Sequence, residues 1–498
     1  MRPTSNPARP LVGLTERMGL PPAFGEVTGI THDSRKVRPG DLYVALSGAN
    51  FHGASFAGQA ARDGATAILT DERGRELSEA TGLPVLLVPD VRAAMGEAAA
   101  YVYGDPARRL LLVGVTGTSG KTTNAYLLEA GLAGAGLPSG VIGTVETRLA
   151  GERLPSALTT PEATDLHAIF ATAVERGVGA MAMEVSSHAL SQHRVDGAVF
   201  DVALFTNLSQ DHLDYHPTMQ DYFAAKAKLF TAAHSRIGVV NLDDVYGRQL
   251  TEVAEVPVTT FSAAGDRGAD WWAEDVRLGA DGSVFRVVGP GGIEADASVA
   301  IPGPFNVANA LGVIVTLVEA GIPLHKAAAG VAGAPGVPGR LEKIDEGQDF
   351  VALVDYAHKP GAVEAILTTL RPVTRGKLII VVGCGGDRDK GKRPLMGEAS
   401  ARLADVVVLT NDNPRSEDGL AIVGAMIDGV LKVPESERAE VIVHLDRAAA
   451  IREAVSRAVP GDVLVVAGKG HEQGQYVQGR VIPFDDREKL AQTIRDLS

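Results

Sequence analysis

Cysteine is nearly absent from this chain: its 498 residues include one, Cys384. That excludes an intrachain disulfide and a multi-cysteine zinc site, and a reducing, cytoplasmic setting is expected. Long hydrophobic runs are missing too. No stretch approaches the roughly 18 apolar residues that a membrane span needs, so no membrane insertion is expected. Met1 to Pro10 is rich in Arg and Pro and no apolar segment follows it. It does not read as a secretion signal, and a short frayed lead-in is expected. Positive charge is in deficit: 47 Lys and Arg stand against 61 Asp and Glu, a net charge of -14. That excess of acid repels a phosphate backbone, so nucleic acid is not expected as the main partner, although a local basic cluster can still hold a small anion.

What is present is an ordinary globular composition, 45% hydrophobic and 22% charged. At about 150 residues per domain, the length suggests about three domains. Short β-rich runs alternate with Ala-rich helical stretches throughout, the texture of layered α/β folds. In the first section, residues 1–107, the runs Asp41–Leu46, Ala65–Leu69 and Val85–Val88 read as strands and Val91–Tyr103 as a helix. The second section, 108–338, opens with Leu110–Val115 and carries further strands at Ala180–Met183, Val202–Thr206 and Ile237–Asn241. Residues 258–300, rich in Gly and β-formers, read as antiparallel strands, and the stiff Pro335-Gly336-Val337-Pro338-Gly339 as a linker. The third section, 339–498, alternates strands (Val351–Asp355, Lys377–Gly383, Asp405–Thr410, Val441–His444, Asp462–Gly468) with helices, the pattern of an open parallel sheet.

One motif carries explicit chemistry. Leu111–Val115, Thr116-Gly117-Thr118-Ser119-Gly120 and Lys121-Thr122-Thr123 form a strand, a glycine turn and a helix start. Glycines let the backbone wrap a phosphate and helix N-terminal amides point at the anion. Lys121 supplies positive charge, and the Thr122 hydroxyl can ligate Mg²⁺. The longer P-loop consensus has a glycine where this chain has Val115, leaving the shorter Gly117-x-x-Gly120-Lys121-Thr122-Thr123. A guanine-reading Asn-Lys-x-Asp is absent, which disfavours a GTPase. Glu184, at the end of an apolar run, and His212, in Asp211-His212-Leu213-Asp214, are strand-end candidates for metal ligation. Taken alone, each reads equally well as a helix cap. Lys226 shares a helix face with Phe230, and by spacing alone it reads as a snorkelling lysine.

Together these segments resemble the Mur ligase family, ATP-dependent amide-forming enzymes of peptidoglycan precursor synthesis. The resemblance rests on Gly117–Thr123, Glu184-Val185-Ser186-Ser187-His188, Asn207–Asp214, Lys226, Gly303–Ala310, Pro338-Gly339-Arg340 and Asp355–Pro360. It implies a three-domain α/β fold: a uridine-nucleotide domain, a central P-loop ATPase-like parallel-sheet domain and a C-terminal Rossmann-like domain. It also implies ATP as co-substrate with Mg²⁺. Gly117, Thr118, Ser119, Gly120, Lys121, Thr122 and Thr123 would hold the phosphates, Asn306 and Asn309 would lie near the adenine, Arg340 at the γ-phosphate and Asp355 at the ribose. Thr122, Glu184, His212 and Lys226, the last carbamylated to N6-carboxylysine, would be metal ligands. Ser34 would contact the uridine diphosphate, and Thr159, Thr160, Ser186, Gln192 and Arg194 the muramoyl dipeptide.

Four further segments resemble the branch of the family that adds a diamino acid to UDP-N-acetylmuramoyl-L-alanyl-D-glutamate: Thr159-Thr160-Pro161, Gln192–Val195, Gly385–Pro394, and Asp412-Asn413-Pro414-Arg415 with Gly468–Glu472. Asp412, Asn413, Pro414, Arg415, Arg388, Gly468 and Glu472 would surround the diamino acid. The Asp-Asn-Pro-Arg tetrad accompanies meso-diaminopimelate in the resembling enzymes. The physical reason is that Arg415 offers a bidentate fork to a distal carboxylate, which lysine and ornithine lack. Those two remain the alternatives, because an Arg here can bind the α-carboxylate instead. Folylpolyglutamate synthetase, which should lack the Gly-Asp-Arg and Asp-Asn-Pro-Arg segments, and a P-loop ATPase or kinase are the further rivals. A monomer is expected.

Overall fold

The computed structural model describes residues 2–48, 50–154 and 158–497. It divides into two compact units. The first takes the chain up to Trp272 together with Gly289–Gly291 and Leu311–Gly330; the second takes Ala273–Val288, Gly292–Ala310 and the chain from Val331 onward.

The first unit contains a four-stranded parallel sheet in the order Gly29–Thr31, Asp41–Val44, Ala67–Thr70, Val85–Leu87. Leu42, Val44 and Leu69 from it pack with Met95 and Ala98 of the helix Val91–Val102. The lead-in is not frayed. Arg2 donates to both oxygens of the buried Asp41 at 2.6 and 2.8 Å, and Asn6 Nδ2 donates to Thr28 O and Val102 O at 2.9 Å. Arg9–Pro10 pairs with Glu26–Val27. These ties are tertiary and leave no periodic mark in the sequence.

The same unit holds the sheet that positions the phosphate loop. Leu111–Thr116 lies between Ala180–Glu184 and Phe200–Phe205, parallel to both. These strands are buried along almost their whole length, as expected of parallel strands covered on two faces. The register aligns Glu184 with Val115 and Phe205 with Thr116, so three strand C-termini end side by side. The expectation of antiparallel strands over 258–300 is corrected in part. Val258–Ser262 pairs parallel with Ser235–Asn241 because the helix Val245–Val253 intervenes as a crossover. Antiparallel pairing joins Gly282–Val288 to Glu294–Val299, residues that fall in the second unit.

The second unit is built on a six-stranded sheet in the order Glu342–Ile344, Val351–Asp355, Val463–Ala467, Leu378–Val382, Val406–Leu409, Glu440–Val443. The first strand is antiparallel and the others are parallel. Its central strands are unbroken apolar runs, and their C-terminal ends carry the loops 383–391, 410–418 and 468–473. A hairpin, Gly474–Val477 with Arg480–Pro483, follows the last loop.

Candidate functional site

The phosphate loop closes where its glycines allow. Gly117 has φ 152° and a Cβ there would stand 1.9 Å from Thr206 Oγ1; Gly120 has φ 87° and caps the helix Lys121–Gly134. Ser119 N donates to Asn207 Oδ1 at 3.0 Å, and Thr206 Oγ1 donates to Ser119 O at 2.7 Å, so the end of Phe200–Phe205 holds the turn open. Lys121 Nζ folds back onto Gly117 O at 2.8 Å and Thr118 O at 2.9 Å.

Glu184 is buried at the end of its strand. Its Oε2 accepts from Thr122 Oγ1 at 3.1 Å and from Thr144 Oγ1 at 3.1 Å, and its Oε1 from Thr144 N at 2.8 Å. Thr144 was missed by motif reading; its one signal is its place just after the strand Ser139–Ile142. Thr144 Oγ1 lies 3.0 Å from Thr159 Oγ1, and Thr160 Oγ1 donates to the backbone carbonyl Glu184 O at 2.8 Å, which ties the 159–160 segment to Glu184 through Thr144 and through the main chain. Ser186 N donates to Thr160 Oγ1. Arg194 donates to Thr160 O and to Gln192 Oε1, and its Nε lies 3.0 Å from Glu162 Oε1. The structure therefore brings Thr122, Thr159, Thr160, Ser186, Gln192 and Arg194 together around Glu184 and its neighbours. Ser34 lies elsewhere in this unit, opening the 3-10 turn Ser34–Lys36.

Lys226 is 1% exposed. Its Nζ donates to Gly117 O at 2.8 Å and sits 4.6 Å from the centroid of the Tyr222 ring, whose hydroxyl lies 3.1 Å from Thr118 Oγ1. Burial, reinforced by the nearby Lys121 charge, holds the Lys226 amine well below the usual lysine range. The snorkelling reading fails, because this amine points inward at the phosphate loop. His212 adopts φ 55°, and its ring packs edge-on against His188 and Tyr222, with centroids 4.9 and 5.9 Å apart. Among the described residues no three His, Cys, Asp or Glu side chains are grouped as a metal cage. The donors next to the loop are the Thr122 hydroxyl and the Glu184 carboxylate. Hard oxygen atoms beside a phosphate cradle suit Mg²⁺, which keeps several waters and takes only one or two protein ligands.

The remaining expected residues lie in the second unit. Asn306 Nδ2 donates to Pro302 O and Asn309 Nδ2 to Asn306 Oδ1, both side chains being buried. The Arg340 guanidinium lies 4.7 Å from the Tyr356 ring centroid. Asp355 accepts Leu341 N and Ala357 N on its two oxygens, and burial raises its carboxyl above the usual range. At the opposite side of the strand Val463–Ala467, Arg415 has φ 53° and donates through Nη1 to Gly386 O at 2.7 Å. Arg388 Cγ and Arg415 Nη1 lie 3.8 and 2.9 Å from where a Cβ on Gly385 would stand. Asn413 Nδ2 donates to Glu472 Oε2 at 2.9 Å. Asp412 is buried behind them, and its carboxyl is raised by burial, with Arg447 and Lys469 opposing. A Cβ on Gly468 would stand 2.5 Å from Asp412 Oδ2, and Pro414 O sits 1.9 Å from where a Cβ on Gly386 would be.

Comparison with known proteins bears on this arrangement. The Mur ligase family catalytic domain matches residues 26–103, the Mur ligase middle domain 115–317 and the Mur ligase glutamate ligase domain 339–470. A UDP-N-acetylmuramoyl-L-alanyl-D-glutamate–2,6-diaminopimelate ligase of Streptomyces coelicolor is 58% identical over 496 residues, covering 99% of this chain and 98% of that protein. The chain belongs to the Mur ligase family. A ligase of the same name from Corynebacterium glutamicum is 49% identical over 479 residues, covering 94% of this Mur ligase and 92% of that protein. A solved structure of a UDP-N-acetylmuramoyl-L-alanyl-D-glutamate–2,6-diaminopimelate ligase superposes with a TM-score of 0.74 at 32% identity, covering 99% of each chain. A Mycobacterium tuberculosis folylpolyglutamate synthase complexed with ADP has a TM-score of 0.60 at 20% identity over 76% of this Mur ligase and 91% of that chain, a likeness of fold.

Proposed function

We infer that this Mur ligase joins 2,6-diaminopimelate to UDP-N-acetylmuramoyl-L-alanyl-D-glutamate, driven by ATP cleavage, in peptidoglycan precursor synthesis. The D-glutamyl γ-carboxylate attacks the γ-phosphorus of ATP, the bond to ADP breaks and an acyl phosphate forms. The neutral amine of diaminopimelate then attacks the acyl carbon, its surplus proton passes to water or the departing phosphate, and the tetrahedral intermediate collapses to amide and phosphate.

In this reading Gly117 to Thr123 cradle the phosphates, and Lys121 swings from its two carbonyls to the transferred phosphoryl group. Thr122 and Glu184 are the residues that would hold Mg²⁺, with His212 and a carbamylated Lys226 as further ligands; when bound, the metal neutralises charge building on the phosphoryl oxygens. A neutral Lys226 amine attacks carbon dioxide and loses a proton, giving a carbamate with the donor chemistry of a carboxylate. Ser34, Thr159, Thr160, Ser186, Gln192 and Arg194 bind the UDP-muramoyl dipeptide. Asn306, Asn309, Arg340 and Asp355 serve the nucleotide. Asp412 to Arg415, Arg388, Gly468 and Glu472 hold the diamino acid.

The observation that carries the diaminopimelate assignment is Arg415, whose guanidinium donates to Gly386 O in the loop that carries Arg388, at the same sheet edge as the loop that carries Glu472. A ligand ending in both a carboxylate and an ammonium meets a partner for each; lysine and ornithine bring no distal carboxylate, so the guanidinium keeps its bond to Gly386 O but the rest of its fork is left unpaired. Discrimination on the order of 10⁴-fold is attainable from one such unpaired group. The test is product formation with diaminopimelate, lysine and ornithine side by side, using the wild type and Arg415→Met. Diaminopimelate is preferred by the wild type, and the preference collapses in the variant. A wild-type preference for lysine or ornithine overturns the assignment.

A further inference from the structure

We propose that Lys469 is a positioning residue of the diamino-acid pocket: it locks Asn413 and Glu472 so that one Glu472 oxygen remains for the ligand's distal ammonium. This rests on the functional reading above and assigns a role to a residue outside the motif contacts.

The backbone places Lys469 deliberately. It follows the strand Val463–Ala467 between Gly468 at φ 119° and Gly470 at φ 55°. A side chain at Gly468 would meet Asp412 Oδ2, and one at Gly470 would come to 2.8 Å from Tyr356 Cβ. Between these two positions the chain turns Lys469 inward, where its side chain is 0% exposed, whereas Glu472 remains 31% exposed. A lysine is seldom buried so completely unless it is paired.

Its partners form a closed triangle. Lys469 Nζ donates to Asn413 Oδ1 at 3.0 Å and to Glu472 Oε2 at 3.1 Å, and Asn413 Nδ2 donates to that same Oε2 at 2.9 Å. Asn413 Oδ1 also accepts Tyr476 N at 3.0 Å. Two donors on one amide oxygen fix the orientation of the amide, so Nδ2 has to face Glu472. Glu472 Oε2 is thereby filled, while Oε1 makes no hydrogen bond among the described residues. Glu472 is left as a one-sided acceptor on the partly exposed side, and Arg415 supplies the cationic counterpart nearby. Without the Lys469 ammonium, Asn413 keeps only Tyr476 N as a donor to its Oδ1, while Glu472 loses the cation paired with it and is held by Asn413 Nδ2 alone, so the Glu472 carboxylate becomes free to turn.

The experiment is a steady-state comparison of wild type, Lys469→Met, Glu472→Gln and the paired variant on diaminopimelate, ATP and UDP-muramoyl dipeptide. Lys469→Met raises the KM for diaminopimelate about tenfold or more and leaves the other two KM values and kcat within about threefold. Because Lys469 acts through Glu472, adding Lys469→Met to Glu472→Gln changes that KM by less than about twofold. The paired variant also removes both charges together, so it reads the coupling if the single variant does not fold. A diaminopimelate KM unchanged in Lys469→Met overturns the inference. So does an effect of equal size in the Glu472→Gln background, or loss of folded protein in both Lys469 variants. A wild type inactive on diaminopimelate overturns the functional reading instead, and this assignment with it.

Discussion

Lys226 shows what burial adds to spacing at the scale of a single residue. Its i, i+4 relation to Phe230 fits any amphipathic helix, yet the side chain is buried with Gly117 O at 2.8 Å and Lys121 nearby. A cation in that setting is costly, and a neutral amine is the form that reacts with carbon dioxide. Lys226→Ala is expected to lose activity by about a hundredfold or more, as removal of one group that stabilises transition-state charge does. Short carboxylic acids added to the assay should restore part of it by standing where the carbamate would. Full activity in Lys226→Ala, measured as phosphate release, contradicts the carbamate role. Glu184, by contrast, was a candidate in sequence as the acid ending an apolar run, where a helix cap explained it equally well; the hydrogen bond from Thr122 Oγ1 is what joins it to the phosphate loop. Thr144 and Lys469 were not: each acts through a contact with a residue distant in sequence.

Among the elements, strand, glycine turn and helix start were readable at 111–123 because each is dictated by local backbone chemistry. Gly117→Ala places a methyl 1.9 Å from Thr206 Oγ1 at φ 152°. It should cost about 1–3 kcal/mol of stability and abolish ATP-dependent turnover, read by thermal melting and by phosphate release. The hairpin Gly474–Pro483 was not read, because its turn uses Gln478 and Gly479, both at positive φ, in place of the more telling Asn-Gly. That hairpin matters, since Arg415 N donates to Tyr476 O and Gln478 N to Arg415 O. The two loops expected at the diamino acid are also clamped by Glu417, which accepts both Arg393 Nη1 and Nη2 and the amide of Asp387. The Arg393 pairing lowers the Glu417 carboxyl from 4.5 to about 2. A carboxyl lowered in the folded state stabilises fully above its unfolded value, and that stabilisation is lost as pH falls from 4.5 towards about 2. Wild type should therefore lose more stability over that interval than Glu417→Gln; parallel curves would contradict the clamp.

At the scale of the whole molecule, the α/β class with its parallel sheets follows from apolar strands such as Leu378–Val382 and Val463–Ala467 alternating with helices, a pattern written locally along the chain. What joins distant segments was hidden. Arg2 reaches Asp41, and Thr4 N donates to Glu175, across sequence separations that no periodicity reports. The phosphate loop, Glu184 and Lys226 belong to one compact unit, and Arg415, Asn413, Lys469 and Glu472 to the other. The chemistry assigned to the first of these residue sets is activation of a carboxylate by phosphoryl transfer; that assigned to the second set is delivery of an amine. A simple ATPase has no use for the second, so phosphate release should require the dipeptide substrate and the diamino acid together. The most direct test follows the oxygen atoms. UDP-muramoyl dipeptide carrying heavy oxygen in the D-glutamyl γ-carboxylate is turned over with ATP and diaminopimelate, and the released phosphate is analysed by mass. Passage through an acyl phosphate transfers one labelled oxygen to phosphate in each turnover; phosphate free of label contradicts the account.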